Sequence, residues 1–152
     1  MRRAREIRPA GQWNEASAVD CIALEAHDRH RRRIMLTGER GTRFLLDLAQ
    51  VAALRDGDGL ILDDGAIVRV NGRPEPLVEI TAASARELAR LAWHLGNRHI
   101  DVQIIGNALR IRRDHVIEDM LRGLGARMAS LEAPFEPEAG AYAHAHDDQF
   151  DD

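Results

Sequence analysis

Histidine is the residue type through which any chemistry of this chain must be sought. Seven are present, at positions 27, 30, 94, 99, 115, 144 and 146, and a neutral imidazole is a favoured ligand for nickel, copper and zinc. His144 and His146 stand one residue apart in "HAH", in a segment with no apolar period, so both rings can turn toward one ion. A merely solvated tail is the alternative. His99 lies beside Asp101 in "GNRHIDVQI", on the polar side of an alternating run, where an exposed imidazole is expected. A lone exposed histidine is more often a solvated side chain than a ligand. His115 opens a helical pattern, whose positive end favours the neutral ring, and it is a secondary candidate. His94 reads as a helix-end side chain bonding the last carbonyls. His27 and His30 sit among arginines in "HDRHRRR", which repel a divalent cation; that run reads either as a solvated charged loop or as a face for an acidic partner.

Counting ligands constrains the site further. A closed structural zinc centre takes four ligands at fixed spacing, and the single cysteine, Cys21, excludes the thiolate-rich versions. A metal site here must be sparse or shared between copies. A twofold dimer doubles each ligand, and two copies of His99 near the axis, completed by tail histidines or water, would make an exchangeable site. Such a site suits carrying a metal better than locking one in.

The elements that must position these residues can be read from hydropathy and turn chemistry. Over residues 18–70 short alternating runs such as "VDCIAL", "TRFLLDL" and "AIVRV" are separated by "RDGDG" and "DDG", where Asp and Gly tolerate tight-turn angles; this predicts a small β-domain. "LAQVAALRDG" suggests one short helical turn within it. "NGRPEP" marks the boundary, because two prolines withhold backbone donors, so the domains are placed at 1–74 and 75–133.

Beyond that boundary "LVEITA" reads as a strand, and Ser84 with Glu87 has capping-box spacing. Leu88, Leu91, Ala92 and Leu95 then form one helix face, ended by Gly96 or Asn97 in a left-handed cap. "HIDVQI" alternates, with Ile100, Val102 and Ile104 on one side and His99, Asp101 and Gln103 on the other. "ALRIR" returns, Asp114 caps a second helix stopped at Gly123, and "ARMASLE" is the last strand. The order β-α-β-β-α-β predicts a ferredoxin-like domain in an α+β protein. From Pro134 to residue 152 prolines and acids predict a flexible tail.

Composition bounds the function classes. A net charge of −4 is not that of a strongly basic nucleic-acid binder. No run approaches the roughly 20 apolar residues of a membrane span, and no apolar run follows the first arginines, so neither a membrane nor a secretory signal is expected. One free cysteine fits a reducing compartment, and the protein is read as cytoplasmic.

With "HLGNRH", "DHVIEDMLR" and "PFEPEAGAYAHAH" in this order, and "LRDGDGLILDDGAIVRV" in the first half, the chain resembles the urease accessory protein E family, the nickel metallochaperones of urease maturation. The resemblance covers most of the chain. It implies an amino-terminal β-domain likened to a peptide-binding module and a ferredoxin-like domain that forms a homodimer. The histidine of "GNRH", here His99, would bind nickel at the dimer interface, joined by the tail histidines His144 and His146. Nickel would be cargo, and the partners the accessory GTPase and, through it, the apo-urease complex. Where some members carry several histidines before "DHV", this chain has arginines in "RIRRDHV" and keeps only His115, which does not fit a high-capacity store.

Three other readings compete. An RNA-binding module shares the β-α-β-β-α-β order but stacks bases on sheet aromatics, and aromatics are only 4% of this chain. An enzyme built on His99 and Asp101 would need a nucleophile or oxyanion loop that the sequence does not supply, so no enzymatic activity is expected. A copper- or zinc-buffering regulator is the stronger rival, since imidazole sites follow an affinity order favouring copper.

Overall fold

In the computed structural model, which describes residues 1–139, the alternating runs of the first half become strands β1 (Arg3–Arg8), β2 (Asp20–Leu24), β3 (His30–Thr37), β4 (Arg43–Ala53), β5 (Gly59–Leu62) and β6 (Ile67–Gly72). They form one sheet in the order β2-β6-β5-β1-β4-β3. Phe44, Leu46, Leu60, Val68 and Val70 are among the side chains that close its core. The unit so formed spans Met1–Arg73, and a second spans Pro74–Glu138.

Two buried carboxylates of the first unit are satisfied by backbone amides. The Asp58 carboxylate accepts from the amides of Arg55 and Ala10 at 2.8 and 3.0 Å, which fixes the "RDGDG" turn around Gly57 at φ 91°. Buried Asp20 accepts from the amides of Cys21, Arg40 and Thr42 at 2.7, 2.9 and 3.1 Å. Burial alone would raise its pKa, but these bonds favour the anion and hold it below the ordinary carboxylate value. Gly38 leaves the space, since a Cβ there would lie 2.3 Å from the Asp20 Oδ2.

Two expectations for this unit are corrected. "LAQVAA" is not a helical turn but the far end of β4, because Ala52 and Ala53 pair with Arg31 and His30 of β3. "HDRHRRR" is not a solvated loop: it forms the short helix α1 (Ala26–Arg29) and the start of β3, and Arg29 is buried, donating to the carbonyls of Leu24 and Leu54.

The second unit runs β7 (Pro74–Thr81), α2 (Ala85–Asn97), β8 (Gln103–Ile105), β9 (Ala108–Arg112), α3 (His115–Gly123) and β10 (Arg127–Pro134). Its antiparallel sheet has the order β10-β7-β9-β8, the ferredoxin-like arrangement expected. Both helices start where the side chains dictate: Ser84 Oγ accepts from the Glu87 amide at 3.2 Å, and Asp114 Oδ1 from the amides of Val116 and Ile117 at 3.0 and 3.1 Å. Leu91, Leu95, Ile117 and Leu121 pack against Val78, Ile80, Leu109 and Ile111 of the sheet.

That core fixes which sheet face is which. Val78, Ile80, Leu109 and Ile111 point to the helices, so their strand neighbours Leu77, Arg110 and Arg112 point the other way, and Gln103, paired with Arg110, shares that second face. The chain after β10 crosses this second face. Phe135 is fully buried, with the Arg112 guanidinium 4.6 Å from its ring centroid. The Glu136 amide donates to the Gln103 side-chain oxygen at 3.1 Å, and the Glu138 amide to the Val102 carbonyl at 2.7 Å. The tail expected from Pro134 is therefore corrected for its first residues: β10 runs through Pro134, and 135–138 form a strap from the β10 edge to the β8 edge.

Candidate metal site

His99 is placed by the end of α2. The amide of Ile100 donates to the Leu95 carbonyl at 3.1 Å and that of His99 to the Gly96 carbonyl at 3.0 Å. This pair of bonds is a Schellman motif, whose penultimate residue must adopt the left-handed conformation. His99 adopts it, with φ 59°, the one non-glycine residue to do so among the described residues. The cap was expected at Gly96 or Asn97; both remain helical, and β8 starts at Gln103 instead of at His99. Ile100 and Val102 nevertheless pack toward the core as the alternation predicts. The motif turns the exposed His99 away from the helix while the next residue is drawn into the core.

His99 lines an open cleft of about 340 Å³ together with Asp101, Arg112, Arg113 and Asp114. The acids and bases around it are engaged with one another. Arg112 donates to Asp101 and to Glu75, each at 3.0 Å. Arg113 bonds Glu118 and the Ser130 hydroxyl at 3.2 and 2.7 Å. Asp101 is thus committed to a guanidinium, and His99 is the only imidazole among the described residues that line the cleft. Chemically, the cleft of one chain presents one imidazole on a hydrogen-bonded turn, and a metal ion held there would need further ligands from elsewhere. Among the described residues no group of three or more His, Cys, Asp or Glu side chains is gathered to hold an ion.

The remaining histidines separate accordingly. His115 is exposed in the first turn of α3, with its Nε2 3.6 Å from an Asp119 oxygen, and is not among the residues lining the cleft. The His94 ring meets Trp93 edge-on at 5.0 Å between centroids. His144 and His146 lie outside the described residues. The residues that sequence reasoning missed are Phe135, Arg112 and Gln103. A signal existed: "PFEPE" puts one large apolar side chain between two prolines in an otherwise acidic stretch.

Comparison with known proteins agrees with this division of the chain. Residues 2–72 match the family described as UreE urease accessory protein, N-terminal domain, and residues 75–152 its C-terminal domain. The chain is 55% identical to "Urease accessory protein UreE" of Rhodopseudomonas palustris (strain HaA2), over 97% of this chain and 68% of that protein. It is 55% identical to the protein of that name from Bradyrhizobium sp. (strain ORS 278), over 96% and 70%. It is also 50% identical to that from Beijerinckia indica subsp. indica, over 99% and 87%. Among the described residues no helix is long and apolar enough to cross a membrane.

Proposed function

Because the chain belongs to the UreE urease accessory protein family, and so to the machinery of urease maturation, we propose that it is a homodimeric nickel carrier that delivers the ion to apo-urease through the accessory GTPase. The observation that carries this reading is the exposed His99, held in the left-handed position of a helix cap beside an open cleft. A residue kept in a conformation that glycine fills more readily is a sign of a functional constraint on its side chain.

Two such histidines, one from each copy, would supply half of a four-ligand set, with His144 and His146 completing it and His115 as an outlying site. Trp93, Ile104 and Val116 of the second unit are exposed at 64, 58 and 69%, and a homodimer would cover part of this apolar area. An imidazole ligand must be deprotonated to bind, so acidification should release the ion.

Calorimetric titration with nickel, with molar mass followed by light scattering, tests the proposal on the full chain and on His99→Ala. The expected result is one tight ion per two chains, lost in the variant while the thermal unfolding transition persists. Undiminished binding in His99→Ala would move the metal chemistry elsewhere and leave "GNRH" as a turn.

A further inference from the structure

We infer that Glu75 and Glu118 are charge-compensating residues of the His99 cleft, which cancel the two guanidiniums beside the imidazole and so let the cleft accept a divalent cation; the inference rests on the nickel-binding reading above. Arg112 and Arg113 both line the cleft with His99, and a guanidinium keeps its charge throughout the physiological pH range. Two uncompensated positive charges at this place would repel the cargo. Neighbouring arginines speak against His27 and His30 as ligands, and would speak against His99 equally if these glutamates were absent.

Each arginine is matched by one buried carboxylate. Glu75 on β7 and Glu118 on α3 are both 8% exposed, and they are the buried acids of the second unit among the described residues. Glu75 accepts from Arg112 Nε at 3.0 Å. Glu118 takes Arg113 with both oxygens, Oε2 accepting from Nε at 3.2 Å and Oε1 lying 3.1 Å from a terminal guanidinium nitrogen, and Oε2 also accepts from the Asp114 amide at 2.9 Å. Buried charges are stable when paired and hydrogen-bonded, and both conditions are met here.

The balance of charge follows. Asp101 and Asp114 line the cleft as well, so four carboxylates stand against two guanidiniums and leave a net charge of −2. Without Glu75 and Glu118 the same surface would be neutral. The arginines can then hold the cleft together, Arg112 through Asp101 at 3.0 Å and Arg113 through the Ser130 hydroxyl at 2.7 Å, without imposing their charge on an incoming cation.

The test is calorimetric nickel affinity of the full chain at low ionic strength and about pH 8, where imidazole is deprotonated, for Glu75→Gln, Glu118→Gln, Arg113→Gln and the last two together. Glutamine keeps the shape of glutamate and an acceptor oxygen, so charge is what changes. Glu75→Gln and Glu118→Gln should each weaken binding by roughly threefold, Arg113→Gln should tighten it by a similar factor, and the double variant should return to the parent value. Every one of these differences should shrink at about 0.5 M salt, because screening shortens the reach of the charges. A merely structural role would weaken binding in Arg113→Gln and in the double variant as well, with no dependence on salt, and that pattern would overturn the inference. So would affinities unchanged in all the variants. Should Glu118→Gln not fold, the direction of the change in Arg113→Gln, whose side chain is 47% exposed, decides alone. Failure of the nickel reading itself would be visible separately, as binding indifferent to His99→Ala.

Discussion

The two helices of the ferredoxin-like unit end in the same motif with different residues at its critical position. At the end of α3 the amide of Ala126 donates to the Leu121 carbonyl at 3.0 Å and that of Gly125 to the Arg122 carbonyl at 3.1 Å, with Gly125 at φ 87°. At the end of α2 the corresponding donors are Ile100 and His99, the acceptors Leu95 and Gly96, and φ is 59°. Leu95 and Leu121 are both fully buried, and Ile100 and Ala126 both pack on the same core. The backbone problem is identical. Glycine solves it at α3, where only closure is needed, whereas at α2 a side chain is held there against a cost of about 1–2 kcal/mol for a left-handed L-residue. What the molecule keeps in exchange is an imidazole on a turn pinned from both sides.

The comparison can be broken most severely at its shared foundation. Leu95→Ala and Leu121→Ala each remove a buried anchor of one motif and should cost about 2–5 kcal/mol in urea-unfolding free energy; a negligible loss at either would mean that the core does not pin that helix end. Next in size, Gly125→His would give α3 the residue type of α2. Nothing lies within 4 Å of a Cβ built at Gly125, so the expected loss of about 1–2 kcal/mol reports backbone conformation alone. A variant as stable as the parent would show that the left-handed position carries no strain in this motif.

The finest cut is His99→Gly. It should raise stability by about 1 kcal/mol over His99→Ala, which keeps the strained backbone, while both lose nickel to the same extent. Equal stability of the two would remove the argument that function, not folding, holds a histidine at this place.

Read along the chain, local signals were sufficient wherever the deciding interaction is short-range. Ser84 and Asp114 start their helices because a side-chain oxygen two or three residues away is all that an unpaired amide requires. The strands around "RDGDG" and "DDG" follow from alternation and from what Asp and Gly allow in a turn. The exposure of His99 was legible too, though the reason was not: it stands at a helix end and not on a strand.

What sequence alone determined is therefore the family, the order of elements and most of the core faces. Tertiary structure alone decided which residue at each helix end turns left-handed, since that depends on whether Ile100 or Ala126 can reach the core. It also decided that "LAQVAA" is strand, because β3 supplies partners some twenty residues away in sequence. Finally it placed Phe135 under Arg112, carrying an acidic, proline-bearing segment across a sheet face. These outcomes share a physical cause: each is set by contacts between residues distant in the chain, whose free energy no local propensity contains.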